Sequence, residues 1–269
     1  SRINEPVNDF YNKKATMVFN ALEQSGIRIN RDEFQSRFHD VSGEYVHTQF
    51  NFKTLTGRPS NKFGGVNYAA LNKENGDRKC FIPRNNFLFE LDIGAYHPTL
   101  LGKLVGYDFG EEDIHMAFSE MYGVDYQKSK ELTFKQMYGG VFEQYKELEF
   151  FKKMKVYTDD LWARFQNEGS IECPISKHIY KKDYLEDMKP QKLLNYVLQN
   201  LETAMNVCIL WEILRILRDK NTKLILYTFD SFLLDVDKNE KKIIEEILEV
   251  FKNKKLQIKY NYGRTYDFE

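Results

Sequence analysis

Phe87-Leu-Phe-Glu-Leu-Asp-Ile-Gly-Ala-Tyr-His-Pro-Thr-Leu-Leu101 decides how the rest of the sequence is read. The apolar run Phe87–Leu91 has the length and composition of a buried strand. It ends in one carboxylate, Asp92, followed by the tight Gly94-Ala95 pair and a helix from about Pro98 to Val105. An acid at a strand end, next to a chain reversal, has two readings. It can cap the following helix, or it can hold a hard divalent cation through oxygen.

A second stretch shares this pattern. Lys223–Val236 is two apolar runs joined at Phe229-Asp230-Ser231, the signature of a tight β-hairpin with an acid at its tip. Asp92 and Asp230 thus stand at the ends of separate apolar strands, far apart in sequence. Paired acids that share divalent cations are the core of two-metal phosphoryl transfer. Mg²⁺ prefers carboxylate, water and phosphate oxygens, so two acids and a substrate suffice to hold it.

The sequence separating them reads largely as helix. Asp113-Ile-His115 opens an amphipathic helix that Gly123 stops, and Asp125 is placed to cap the next one. On that next helix Lys130, Phe134 and Tyr138 are spaced i, i+4, i+8 and share one face. A cation, an aromatic ring and a phenol in a row suit phosphates at one end and a base at the other. The alternative is a half-exposed helix whose lysines, Lys128 among them, are solvated.

Upstream, the spacing predicts a helix over 6–25 and a strand or hairpin arm over 44–58. A hairpin through Arg78–Pro83 then delivers the chain to Asp92. Downstream, the pattern predicts further helix over 142–167 and a β excursion over 169–184. A long helix over about 189–219 follows, with Asn195 and Gln199 one turn apart on it. A Glu/Lys-rich helix over 240–252 and a final strand over 256–262 complete the pattern.

A chain of 269 residues is long enough for one large core or two tightly joined subdomains. Charged residues at 29% and aromatics at 15% place it among globular chains. With a net charge of -1, no global field draws it to nucleic acid. Such a partner must be met locally, for example at the Thr56-Gly-Arg-Pro-Ser60 turn that carries Arg58. Cys80, Cys173 and Cys208 fit neither a zinc site nor a disulfide framework, which points to a reducing, cytoplasmic compartment. No run is apolar enough to span a membrane, and the N-terminus lacks a signal-peptide pattern.

Taken in order, these stretches resemble the family A DNA polymerases, the bacterial DNA polymerase I type. Met17–Phe34 looks like the segment that opens the polymerase module. His47-Thr-Gln-Phe through Thr56–Ser60 is similar to the family's Thr-Gly-Arg-Leu-Ser region, and Val66–Asn72 follows where the family has its Asn-Leu-Gln-Asn run. Leu91–Thr99 occupies the place of motif A, and Asp113-Ile-His115 matches the family's Asp-Ile-His. Lys130, Phe134, Tyr138 and Gly139 match motif B. Asn195 and Gln199 match the later helix, and Tyr227-Thr-Phe-Asp-Ser231 stands at motif C.

The resemblance implies an α+β fold, a palm of antiparallel sheet and packed helices with an inserted helical fingers subdomain. One module would fill 1–269: an N-terminal part and palm with motif A over 1–110, fingers over 111–188, and palm with motif C over 189–269. It also implies template-directed addition of dNTPs to a primer 3′ end on a primed DNA template. Asp92 and Asp230, with the carbonyl of Ile93, would bind two Mg²⁺ ions, with Mn²⁺ able to replace them. His115 and Lys130 would hold the triphosphate, Phe134 would pack at the sugar, and Tyr138 would stack at the template position. Arg58, with Asn67 nearby, would reach the minor groove at the primer end, and Asn195 and Gln199 would touch template or primer.

The departures from the family are specific. Ser231 replaces the second acid of motif C, and Phe229 replaces its histidine. His97 stands where motif A has the glutamate that screens out ribose, which opens the sugar choice and a primer- or RNA-synthesising alternative. Tyr126 replaces an arginine that contacts the triphosphate, and Lys128 can compensate. About 25 residues separate Asn30 from Thr56, too few for the family's long helical thumb at 1.5 Å per helical residue. Low processivity, or a protein partner that supplies the clamp, is therefore expected. So is the alternative of a catalytically weakened nucleic-acid-binding module. Asp92, His97 and Pro98, with Phe229-Asp230-Ser231, also echo family B polymerases faintly.

Overall fold

The computed structural model describes residues 9–51, 54–61 and 66–268. Residues 6–8 of the first predicted helix and the Gly64-Gly65 pair lie outside them. The chain divides into a sheet unit (Asp9–Thr54, Arg58–Gly94 and Asn206 onward) and a helical unit (Leu55–Gly57 and Ala95–Met205).

The sheet unit begins with α1 (Asp9–Ser25), stopped at Gly26, whose φ of +67° favours a residue without a side chain. β1 (Ile27–Arg28) follows, and then α2 (Arg31–Arg37), capped by the Asn30 side chain, which accepts the Glu33 N–H. β2 (Tyr45–Val46) pairs with β1, and β3 (Phe50–Asn51) pairs with β4 (Ser60–Asn61). These two-residue strands replace the single arm predicted over 44–58.

The hairpin predicted through Arg78–Pro83 is also corrected. Asp77–Cys80 is a turn of 3₁₀-helix, and Phe81 bridges to Ile29. Buried partners capture this segment. The Arg78 Nε–H donates to the Leu71 carbonyl, and the Phe81 ring lies edge-on to Phe34, Tyr68 and Tyr266. The chain then enters β5 (Phe87–Gly94).

The helical unit starts with α3 (Tyr96–Val105). α4 (Ile114–Tyr122) is capped by Asp113, which accepts the His115 and Met116 N–H groups at 2.9 and 3.1 Å, and is stopped by Gly123. α5 (Tyr126–Gly139) is capped by Asp125. Its buried side, Ser129, Thr133, Gln136 and Met137, packs on α4, where the Tyr122 hydroxyl meets Thr133 and Gln136. α6 (Glu149–Glu168) brings Phe150 and Phe151 against Phe118. β6 (Ser170–Glu172) and β7 (Ile179–Lys181) form the predicted β excursion. Ile171, Cys173 and Tyr180 share a core with Leu161, Phe165 and Leu193. α7 (Pro190–Ile216) starts in this unit and ends in the sheet unit.

β8 (Lys223–Tyr227) and β9 (Ser231–Val236) form the predicted hairpin, followed by α8 (Lys242–Asn253) and β10 (Gln257–Gly263). These strands and β5 make one antiparallel sheet in the order β10-β5-β9-β8. The register pairs Asp92 with Ser231 and with Lys259.

Alternation sends Leu88, Glu90 and Asp92 to one face and Phe87, Phe89, Leu91 and Ile93 to the other. On the first face Leu88 and Leu233 join a core with Ile27, Phe34, Phe81 and Tyr266. On the second, Phe232 meets Phe251 of α8. Ile243, Ile247, Val250 and Phe251 are buried at helical spacing, which sets α8 on that face. Each such side chain contributes ~1.5–3 kcal/mol by leaving water. No helix among the described residues is long and apolar enough to cross a membrane. From Arg31 to Asn51 the only helix is α2, seven residues long, so no thumb-like helix is seen among the described residues there.

Candidate active site

In the sheet unit, Asp92 and Asp230 come to neighbouring strand ends. The Ile93 N–H donates to the Asp230 carbonyl at 2.7 Å, locking the end of β5 to the hairpin tip. Asp92 is half-buried and Asp230 is exposed. Helix α3 has Ala95 as its cap residue and no side-chain cap, so the capping reading of Asp92 fails.

The hairpin tip is strained. The Thr228 N–H donates to the Ser231 carbonyl, and the Asp230 N–H donates back to the Thr228 carbonyl at 2.9 Å. That three-residue turn places Phe229 at φ +72°, a left-handed conformation that costs a bulky residue on the order of 1–3 kcal/mol. Two groups fix it. The buried Asn206 amide donates to the Phe229 carbonyl at 2.6 Å and to the Tyr227 hydroxyl at 2.7 Å. The Arg58 guanidinium lies 4.0 Å from the centre of the Phe229 ring. Arg58 therefore stands against the loop that presents Asp230. Asn67 is exposed in the same unit.

Burial raises the Asp92 carboxyl from its ordinary value, and the charges of Lys73, Arg78 and Lys259 offset this only in part. Two residues upstream, on the same face, is an acid that sequence reasoning did not single out. Glu90 is 3% exposed and accepts a hydrogen bond from the Ser231 hydroxyl at 3.1 Å. Arg78 faces it at 4.0 Å and lies over the Tyr266 ring. Burial first, and then the charge of Asp92, raise the Glu90 carboxyl. The available signal was the i, i+2 spacing of Glu90 and Asp92 within an apolar strand.

Among the described residues no three His, Cys, Asp or Glu side chains converge as a metal cage. The donors present are two carboxylates, Asp92 and Asp230. These hard oxygens suit Mg²⁺, which keeps water or phosphate oxygens in the rest of its shell. A desolvated carboxylate such as Asp92 is what a cation relieves. The donor set therefore fits the ion.

The helical unit carries Lys128, Lys130, Phe134 and Tyr138 on α5. Lys130 Nζ sits 4.5 Å from the centre of the Tyr126 ring, and Phe134 stacks on Tyr138 at 6.0 Å with 6° between the planes. Both Phe134 and Tyr138 are exposed. Buried His115 lies edge-on to Tyr126 at 5.8 Å and 6.3 Å from Phe134. The structure thus brings His115, Lys130, Phe134 and Tyr138 together. Lys128 is off this stripe and pairs with Glu131 at 3.4 Å.

His97 is held from both sides. Its Nδ1 meets the Tyr138 hydroxyl, and its Nε2 lies 3.3 Å from the buried Glu202 carboxylate on α7. Glu202 was not singled out from sequence, because α7 is apolar over most of its length. Asn195 and Gln199 are half-buried on the same helix, and Asn195 Oδ1 has no hydrogen-bond partner among the described residues. Their neighbour Asn200 is the amide that organises structure. It accepts from Ser176 at 2.6 Å and donates to the Thr56 carbonyl at 3.1 Å.

No protein-family model matches the sequence, and no curated protein does. Among solved structures, the chain is similar to the POL domain of Pol1 from M. smegmatis, in complex with DNA primer-template and dNTP. The TM-score is 0.71 at 17% sequence identity, over 88% of this chain and 50% of that chain. The chain therefore spans half the length of the structure it matches. At this identity the likeness concerns the fold: this chain, with its antiparallel sheet and packed helices, has the fold of a family A polymerase domain.

Proposed function

We propose that the chain is a template-directed DNA polymerase that adds dNTPs to a primer 3′ end. The observation that carries this reading is the placement of Asp92 and Asp230 at neighbouring strand ends within a polymerase-domain fold. Asp92 and Asp230, with the Ile93 carbonyl, would hold two Mg²⁺ ions, which supply an activated primer oxygen and neutralise the departing pyrophosphate. The protein's own part is to hold groups in place. The strained Phe229 turn and the Ile93–Asp230 bond fix the backbone that carries the two acids before substrate arrives.

In the helical unit, Lys130 and His115 meet the triphosphate, and Phe134 and Tyr138 offer ring faces to sugar and base. We assign Arg58, Asn67, Asn195 and Gln199 to primer and template. We also assign residues 111–188 to fingers and the flanking parts to palm. Three unpaired cysteines suit a cytoplasmic setting.

Primer extension with separate dNTP and rNTP pools, with and without Mg²⁺, tests the reading. Metal-dependent extension with dNTPs is expected, lost in Asp92→Ala and in Asp230→Ala. Unchanged extension in both variants would remove the site assignment. A second reading has its own support. Ser231 stands where the family has an acid, and among the described residues no three His, Cys, Asp or Glu side chains converge as a metal cage. In that case duplex binding persists without incorporation under any metal. Preferential use of rNTPs would instead favour RNA or primer synthesis, with His97 and Glu202 as the departure responsible.

A further inference from the structure

The sheet face opposite Glu90 and Asp92 carries, at its β10 edge, rings and cations that the proposed chemistry does not use. Tyr260 and Tyr262 are 56% and 66% exposed. Both stack on Phe89, at 5.4 Å with 17° and at 6.4 Å with 10° between ring planes. Tyr260 and Tyr262 on the edge strand β10 and Phe89 on its neighbour β5 form a ladder of nearly parallel ring planes. Beside it lies a cleft of about 460 Å³, lined in part by Phe87, Tyr262, Lys238, Lys241 and Arg264. Among the described residues, three cations and no carboxylate line it, in a chain whose net charge is -1.

We propose that this edge is a binding site for single-stranded nucleic acid. Bases stack on Tyr262 and Tyr260, and the phosphates run along Lys238, Lys241 and Arg264. Stacking platforms beside a basic groove are how sequence-tolerant single-strand binding is built. The ring-bearing positions on β10 are two residues apart, roughly 7 Å along the strand, so successive bases can use successive rings. A duplex hides its base faces and cannot use the ladder. A free nucleotide would engage one ring and leave part of the positive lining unmatched. The site lies apart from the paired acids, so the proposal stands whether or not the chain extends primers.

Fluorescence anisotropy of a labelled oligothymidylate with the full chain tests it, together with ultraviolet crosslinking of a 5-iodouracil-substituted oligonucleotide and peptide mapping. Tyr262→Ala and Tyr260→Ala are each expected to weaken binding about tenfold, the size typical of one lost base stack. Lys241→Glu with Arg264→Glu should weaken it further and flatten the salt dependence. For three phosphate contacts the log–log slope should be roughly -2. Adducts should map to Tyr260 or Tyr262. The proposal is overturned if the variants, still folded by circular dichroism, bind as before, or if adducts map only elsewhere. It is also overturned if thymidine monophosphate competes as well as the oligonucleotide. The same holds if Tyr262→Ala abolishes self-association of the chain while oligonucleotide binding is unchanged.

Discussion

The hairpin tip with Asp230 and the α5 stripe with Lys130 are built in opposite ways. At the tip, a left-handed Phe229 is held by a buried amide, a guanidinium and a backbone bond from β5. Its geometry is over-determined, and strain is tolerated because the surroundings leave no other conformation. On α5 the functional groups lie on the exposed side of a helix whose other side is packed, and they touch one another mainly through ring faces. Such groups move between rotamers at little cost. Under the proposed function the difference would suit two tasks: holding cation ligands in place, and receiving a flexible triphosphate and a base of varying shape.

Breaking the rigid side should cost most. Asn206→Ala removes both side-chain bonds to the tip and leaves the Phe229 carbonyl unsatisfied. A loss of about 1–3 kcal/mol in unfolding stability is expected. A parallel fall in metal affinity should accompany it, read by denaturant unfolding and calorimetry. If stability falls and metal affinity does not, the tip is a structural clamp only. Lys130→Ala should do the reverse. Its half-exposed ammonium supports little of the fold, so the melting temperature should hold while the apparent KM for nucleotide rises. A lowered melting temperature with unchanged KM would make Lys130 part of the scaffold.

A smaller effect lies at the far end of the hairpin. Burial raises the Glu240 carboxyl, but the Thr222 and Asn221 N–H groups and the Thr222 hydroxyl outweigh it and hold it below its usual value. A depressed folded value contributes stability above the unfolded value of 4.5, lost as pH falls through the folded one. Glu240→Gln should therefore lower stability at neutral pH and be silent in strong acid. A pH-independent difference would point to packing instead.

The elements with strong local signals were legible in the sequence. Asp113, Gly123 and Asp125 set the limits of α4 and α5 because caps and left-handed stops are local events. The β8–β9 hairpin followed from two apolar runs and a short joint. Arg78–Pro83 was misread because its conformation is decided by distant partners, Ile29, Phe34 and Tyr266, which no short window contains. Glu90 and Glu202 were missed for a related reason. Each is one acid in an apolar element, and its meaning appears only with Ser231 or His97 beside it. Asp92 and Asp230 were singled out in the sequence as acids at the ends of apolar runs, and that they come to neighbouring strand ends needed the sheet register.

The most direct test of the account is calorimetric titration of the full chain with Mn²⁺ or Mg²⁺ in the absence of nucleotide and DNA. The wild-type chain should bind the cation, and Asp92→Asn or Asp230→Asn should each abolish most of that binding while the circular dichroism spectrum is retained. Equal affinity in the wild-type chain and in the folded double variant would contradict the claim that these two strand-end acids form a metal site.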